Sequence, residues 1–157
     1  KMKNNTNVNV EWVYFSDQVM GGQSKGQAQL LTDSGGEFVR LQGDVTTANN
    51  GGFIQIRTSV ALPNNGLTGI SLKVRGNGQR YYVFIRTTGT MLPWQYYKAD
   101  FNSEIEWATI NLEFKEFVRS SAWLGKTIRP ETIKSIGIVA FGRDHEALID
   151  VASVEFF

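Results

Sequence analysis

The segment Gly22-Gln23-Ser24-Lys25-Gly26 has the spacing of the nucleophile motif of serine hydrolases. In such enzymes a histidine and an aspartate activate the serine, and Asp144 and His145 do follow it along the chain. The motif requires a strand, a sharp turn and a helix around the serine, whereas strand-like residues follow Ser24 here. We therefore predict that Ser24 is not a nucleophile and that the chain is not an enzyme.

Other residues with catalytic or metal-binding chemistry are sparse. His145 is the only histidine and cysteine is absent, so the imidazole and thiolate sets that hold zinc cannot be assembled. Calcium needs only oxygen ligands, and a calcium site stays open at three loop aspartates, Asp17, Asp44 and Asp150. The carboxylates that sugar hydrolysis needs would have to come from a polar loop without a cleft, at Asp100, Glu104 and Glu106. We predict no catalytic residue and no cofactor, and we assign no metal-binding residue while calcium stays open.

The segment Gly76-Asn77-Gly78-Gln79-Arg80-Tyr81 begins like the glycine-rich fingerprint of dinucleotide-binding proteins. Tyr81 stands where a third glycine is required, and a strand pattern follows, so no helix N-terminus is available for a pyrophosphate. Glycine and asparagine readily adopt the positive φ angles of tight turns. The segment is therefore predicted to be the turn of a β-hairpin that pairs residues 69–76 with 81–87.

Arginine and aromatic side chains recur at the ends of two predicted strands. Arg57 and Arg86 each end a strand, and each shares a face with the residues two and four positions before it. Ring faces beside planar donors suit a glycan or a peptide, so we predict a ligand-binding surface made of Arg57, Arg86, Trp94 and Tyr96. Two alternatives stay open. The rings could fill the core, and the arginines could form internal ion pairs with Asp100, Asp150 or Glu155.

The elements that must position these residues are strands. About nine short segments rich in β-branched and aromatic residues recur between glycine and asparagine turns: 28–31, 38–45, 53–60, 69–76, 81–87, 94–101, 107–112, 133–141 and 147–157. Only residues 116–121 and 130–133 favour a helical turn. Alternation on the strands predicts core positions at Ile70, Leu72, Val74, Ile136 and Ile138. The pattern is typical of an all-β sandwich or jelly roll.

Length and charge exclude several classes of protein. A chain of 157 residues can bury one sizeable core, and we predict a single β-sandwich domain over residues 10–157. Residues 1–9 are predicted to be disordered or to have been added for expression. A net charge of only +1 argues against binding to nucleic acid or to an anionic membrane surface. No apolar run approaches the roughly 20 residues of a membrane span, so we expect a soluble chain without membrane insertion, cytoplasmic or periplasmic if bacterial.

One segment carries a distinctive signature. Residues 16–24, Ser-Asp-Gln-Val-Met-Gly-Gly-Gln-Ser, resemble the D-x-V-M-G-G-x-S signature of the complex I intermediate-associated protein family. The similarity continues through 49–57, 81–86, 97–101, Trp107 and 112–117, and it spans residues 12–157 overall. Glu113 replaces the usual proline and Asn77 the frequent aspartate, both at turn or edge positions.

The resemblance implies a galactose-binding-like jelly roll of the bacterial, stand-alone type. Mitochondrial members are assembly factors of respiratory complex I, chaperone-like binding proteins of about thirty kilodaltons without an established catalytic residue. Glycine pairs permit backbone angles that side chains block, and aspartate and serine can cap free amides. We predict that the signature loop shapes the fold rather than contacting a ligand, through Asp17, Met20, Gly21, Gly22, Ser24, Asn50, Gly51 and Gly52.

Three functions follow as hypotheses. The first is a protein-binding or assembly domain, with complex I subunits among its partners. The second is a carbohydrate-binding module, and the third, more remote, is a serine hydrolase. An apolar surface patch favours the first, a concave face with exposed rings and arginine favours the second, and a serine within reach of His145 favours the third.

Overall fold

A computed structural model describes residues 11–60 and 66–157, which form two antiparallel β-sheets packed face to face. Eleven strands lie in these residues: β1 Val13–Ser16, β2 Lys25–Asp33, β3 Gly36–Val45, β4 Phe53–Ser59, β5 Gly69–Gly76, β6 Arg80–Thr87, β7 Tyr97–Asn102, β8 Ala108–Glu113, β9 Val118–Arg119, β10 Ile133–Phe141 and β11 His145–Phe156. The six-stranded sheet has the order β1-β4-β10-β6-β7-β9, and the five-stranded sheet has the order β2-β3-β11-β5-β8. The predicted all-β sandwich is confirmed.

The strand predictions are confirmed in place, with small shifts of their ends. Two short strands, β1 and β9, were not predicted, because four and two residues are too few to show a period. The helical turn predicted for residues 116–121 is wrong, since a 3₁₀ turn occupies Phe114–Glu116 and strand β9 follows. The turn predicted at Pro130 is confirmed as a 3₁₀ helix, Pro130–Thr132. None of the helices in the described part has both the length and the apolar character for crossing a bilayer.

The core lies between the sheets and consists of aliphatic and aromatic side chains. Ile70, Leu72 and Val74 of β5 and Ile136 and Ile138 of β10 are at most 1% exposed, which confirms the predicted core positions. These residues occupy alternate positions on their strands, so the residues between them face away from the core. The domain boundary predicted at residue 10 stays a prediction, because residues 1–10 lie outside the described part.

The β-hairpin predicted at residues 76–80 is wrong. Strand β5 pairs with β11 and β8 in one sheet, whereas β6 pairs with β10 and β7 in the other, so the turn carries the chain from sheet to sheet. Tyr81 holds this crossover: its side chain is buried in the core, and its hydroxyl is 2.6 Å from Asn77 Oδ1 and accepts from the Leu148 N–H at 2.8 Å. The alternation of apolar and polar residues is compatible with a hairpin and with a crossover between the sheets, because in both cases each strand keeps one face on the same core.

A candidate binding cleft on the six-stranded sheet

A cleft of about 880 Å³ lies on the face of the six-stranded sheet that points away from the core. Its floor consists of the outward residues of β4, β10 and β6, which alternate with core residues along each strand. Two walls rise from this floor. One consists of residues 19–20 and 51–53, and the other of residues 90–96.

Gly137 of the central strand β10 lies next to the floor residue Gln55. In the strand register it lies between Arg57 of β4 and Phe84 of β6. A β-carbon at this position would lie 2.9 Å from Gln55 Oε1 and 3.7 Å from the Phe84 β-carbon, so a side chain here would fill the space between the two flanking strands. A side chain at position 137 would therefore displace Gln55, which lines the cleft.

The signature segment forms the support of the first wall. The carboxylate of Asp17 is fully buried and accepts four hydrogen bonds, from the Ser24 N–H (3.0 Å), the Ser24 hydroxyl (2.6 Å), and the N–H groups of Gly52 and Phe53. A β-carbon on Gly51 would lie 2.4 Å from Asp17 Oδ2, so only glycine allows this approach. Asp17 thereby joins the 17–24 loop to the start of β4.

The first wall exposes apolar side chains because its polar groups are turned inward. A 3₁₀ helix, Asp17–Met20, ends at Gly21, which adopts a φ of 89° that favours glycine. Val19 and Met20 on this turn are 74% and 63% exposed. Of the signature residues, Met20, Gly51 and Gly52 line the cleft, Asp17 and Ser24 lie beneath the wall, and Gly22 packs on Asp17. Asn50 ends the 3₁₀ helix Ala48–Asn50 beside them.

Arg86 holds the second wall. Its guanidinium donates to the carbonyl oxygens of Leu92 (3.4 Å), Pro93 and Gln95 (3.2 Å). The Gln95 side chain closes the same loop, because its Oε1 accepts from the N–H groups of Met91 (2.9 Å) and Leu92 (3.0 Å). This loop consequently presents its own apolar side chains to solvent at the rim.

Aromatic rings line the part of the cleft next to the second wall. Phe84 and Tyr96 stack with their centroids 4.1 Å apart and their planes 9° apart. Phe141 meets Phe84 edge-on at 5.4 Å. Trp94 stands on the rim and is 63% exposed. The four residues predicted for a binding surface, Arg57, Arg86, Trp94 and Tyr96, thus all line one cleft.

The two arginines of the cleft share an unusual electrostatic environment. Arg57 lies over the Phe15 ring at 4.4 Å. Burial, and then the neighbouring positive charge of Arg86, lower the pKa of Arg57 to about 10. Burial also lowers the pKa of Arg86. Within the described residues no aspartate or glutamate lines the cleft, so both cations lack a counter-charge there.

The ion pairs proposed as an alternative for these arginines are wrong for the described part of the chain. Asp150 is buried and pairs instead with Arg40 and Arg75 of the other sheet, each at 2.8 Å. Asp100 lies 3.5 Å from Arg80. No described acid pairs with Arg57 or Arg86, and Glu155 forms no ion pair with any described residue.

The sequence reasoning missed several residues of the cleft. Gln55 shares the outward face of β4 with Arg57, and the period of two that located the arginine could have found it. Phe15 lies on β1, which was not predicted as a strand. The position of Gly137 next to Gln55 was not predictable, because it depends on β10 pairing with β4.

The other residues that could take part in catalysis or metal binding are either buried or face solvent. Ser24 is buried, its hydroxyl is bonded to Asp17, and strand β2 follows it, as the sequence analysis expected. His145 Nδ1 lies 2.8 Å from the Arg143 carbonyl oxygen. Across the described ranges, no group of three or more histidine, aspartate or glutamate side chains is placed to hold a metal ion. The absence of enzymatic activity stays a prediction.

Residues 2–149 match the family described as complex I intermediate-associated protein 30 (CIA30). The chain belongs to this family. None of the curated proteins matches the CIA30 chain. The match covers both walls and the floor of the cleft, so the cleft is built from the family domain itself.

Solved structures similar to the CIA30 chain show the same sandwich. The family 11 carbohydrate-binding module from Clostridium thermocellum, in complex with a β-1,3-1,4-mixed-linked tetrasaccharide, has a TM-score of 0.76 and 14% identity, over 97% of this chain and 94% of that one. TmCBM61, in complex with β-1,4-galactotriose, has a TM-score of 0.53 and 12% identity, over 93% of this chain and 86% of that one. An exo-β-agarase has a TM-score of 0.60 and 7% identity, over 99% of this chain and 24% of that one. The predicted galactose-binding-like jelly roll is confirmed.

Proposed function

We propose that this CIA30 domain is a non-catalytic, chaperone-like binding domain whose cleft receives a segment of a partner protein. The observation that carries the proposal is the composition of the cleft. Aromatic, methionine and arginine side chains line it, and no acid from the described residues does. Protein interfaces are enriched in these three classes and depleted in acids.

The exposed rims add a driving force for association. Five apolar side chains on the two walls stand 42 to 81% exposed: Val19, Met20, Met91, Leu92 and Trp94. Each gains about 25 cal/mol per Å² of apolar surface that a partner covers. Methionine adapts its shape to irregular apolar partners, which suits a factor that holds a folding intermediate. The family name supports subunits of respiratory complex I, at an intermediate stage of assembly, as the partners.

A glycan is the second candidate ligand. It is supported by the similarity to carbohydrate-binding modules solved with oligosaccharides, together with the Phe84 and Tyr96 rings in the concave face. Sugar hydroxyls donate as well as accept hydrogen bonds, however. Among the described residues that line the cleft, the side-chain acceptors are limited to hydroxyls and the Gln55 amide oxygen. The composition therefore favours a protein segment.

Site-specific photocrosslinking in the native host tests the proposal. A photoreactive amino acid replaces Trp94 on the rim of the cleft. In the matched control it replaces Trp123, which is 91% exposed and does not line the cleft. We expect position 94, and not position 123, to crosslink to complex I subunits identified by mass spectrometry.

A glycan array with the same purified domain completes the test. Crosslinks from position 94 to complex I subunits, with no glycan bound, agree with the proposal. If position 94 yields no protein adduct above the position 123 control, and an oligosaccharide binds in the cleft, the glycan candidate replaces it.

A further inference from the structure

We infer that Arg57 and Arg86 form a carboxylate-binding site in the cleft, which recognises an acidic residue of the partner segment. The inference rests on the proposed function and adds the chemistry of the residue that is recognised. It is carried by two half-buried guanidinium groups and by unpartnered polar atoms beside them.

The charge of Arg57 has no partner among the described residues. Its guanidinium carbon lies 4.4 Å from the centroid of the Phe15 ring, and within the described residues the guanidinium forms no hydrogen bond and no ion pair. A partly desolvated cation without a counter-charge costs free energy, and an anion recovers part of that cost. A guanidinium also offers pairs of parallel N–H groups that bind a carboxylate in bidentate geometry.

Arg86 reinforces the positive potential from strand β6, on the far side of β10. Arg57 pairs with Gly137 of β10, whereas Arg86 pairs with Ser135. The two arginines are therefore about 10 Å apart across the sheet, from two strand spacings, and about 7 Å apart along the strands, from two residues. Two of the Arg86 nitrogens are bonded to wall carbonyls. Its Nε is buried and has no partner among the described residues.

Gln55 supplies a second orphaned group on the same face. It is 4% exposed, and its Oε1 has no hydrogen-bond partner in the described part of the chain. A buried acceptor without a donor is costly, so a ligand N–H at this point stabilises the complex. A peptide segment offers backbone N–H groups next to its acidic side chain. The three residues together therefore match an acidic residue within a polypeptide.

The test uses benzoate and benzamide, which have the same shape and differ in charge. We titrate each into the domain and follow the arginine Nε–Hε resonances by NMR. The variant Arg57→Met removes the charge and keeps an apolar chain over Phe15. The matched control, Arg129→Met, removes an exposed arginine outside the cleft.

We expect benzoate to bind wild type roughly tenfold more tightly than benzamide, as one charge-assisted hydrogen bond implies. The preference should disappear in Arg57→Met and persist in Arg129→Met. Arg57→Met should unfold at the same temperature as wild type or higher, since it removes an uncompensated charge. Equal binding of both probes, no binding of either, or an unchanged preference in Arg57→Met overturns the inference.

The outcomes separate this inference from the proposed function. Crosslinks from position 94 to a partner protein, with no preference for benzoate, refute the carboxylate site alone. A preference for benzoate that depends on Arg57, with no protein adduct from position 94 and an acidic glycan bound on the array, refutes the protein partner and leaves the anion site standing.

Discussion

The hydroxyl of Ser24 donates a hydrogen bond to the carboxylate of Asp17 at 2.6 Å, and both residues are fully buried. The same carboxylate accepts the N–H groups of Gly52 and Phe53 from a segment thirty-five residues further along the chain. One charged group thus fixes two loops, and one cleft wall depends on both. This geometry agrees with the prediction that the signature loop shapes the fold.

Replacing Asp17 with asparagine should destabilise the domain strongly. The amide has one acceptor oxygen where the carboxylate has two, so buried N–H donors lose their partner. We expect the free energy of unfolding, measured in urea, to fall by about 3 kcal/mol. Asp144→Asn is the control, because Asp144 also binds Thr47 through two hydrogen bonds but in an exposed position. A loss no larger than in this control would contradict a structural role for Asp17.

The stability that Asp17 supplies should depend on pH. Burial raises the pKa of its carboxyl, but the hydrogen bonds from Ser24, Gly52 and Phe53 outweigh burial and hold the pKa below its ordinary value of 3.8. A carboxyl with a depressed folded pKa stabilises the fold above the unfolded pKa, and the effect is lost as pH falls through the folded one. The difference in unfolding free energy between wild type and Asp17→Asn should therefore be constant above about pH 5 and shrink below about pH 4. A difference in unfolding free energy that stays constant down to pH 2.5 would contradict the lowered pKa of Asp17 in the folded protein.

Local patterns in the sequence were sufficient to predict nine of the eleven strands in the described residues, the five core residues and the outward positions of Arg57 and Arg86 on their strands. Each of these depends on a period of two within one strand. The strands with which β5 and β6 pair could not be predicted in this way. Both strands turn one face to the same core, whether or not they share a sheet. The role of Asp17 in joining two loops could not be predicted from local patterns either, because its partners Gly52 and Phe53 are distant in the sequence. Contacts between distant segments are determined by topology.

The crossover between the sheets should depend on the Tyr81 hydroxyl. Burial is the main reason that the pKa of Tyr81 is raised to about 12, so the group is neutral and serves as a hydrogen-bonding centre. Tyr81→Phe leaves the Leu148 N–H without its acceptor, and we expect a loss of about 1 to 2 kcal/mol in thermal or urea unfolding. Tyr82→Phe, on the half-buried opposite face of the strand, is the matched control and should change stability much less. Equal losses in the two variants would show that the hydroxyl is not the cause.

Gly137→Ala should separate binding from folding. The added β-carbon would lie 2.9 Å from Gln55 Oε1, the end of a flexible side chain, and 3.6 Å from the Ile56 carbonyl oxygen, so a small movement of Gln55 accommodates it. Alanine is also a better strand residue than glycine, and we expect the free energy of unfolding to stay within about 1 kcal/mol of wild type. The methyl group nevertheless displaces the Gln55 side chain, which lines the cleft on the same face of β4 as Arg57, where a ligand must lie to reach the guanidinium.

We consequently expect Gly137→Ala to bind its ligands about tenfold more weakly than wild type. The affinity for benzoate and the crosslinking yield from position 94 both measure this loss. Gly125→Ala is the control, because its β-carbon would meet only ordinary contacts, at 3.6 Å from the Tyr97 hydroxyl, outside the cleft. A folded Gly137→Ala protein that binds as wild type does would place the ligand elsewhere on the domain. A folded protein that loses binding, beside a Gly125→Ala protein that keeps it, would locate the ligand on the floor of the cleft, since the two variants differ only in where the methyl group lies.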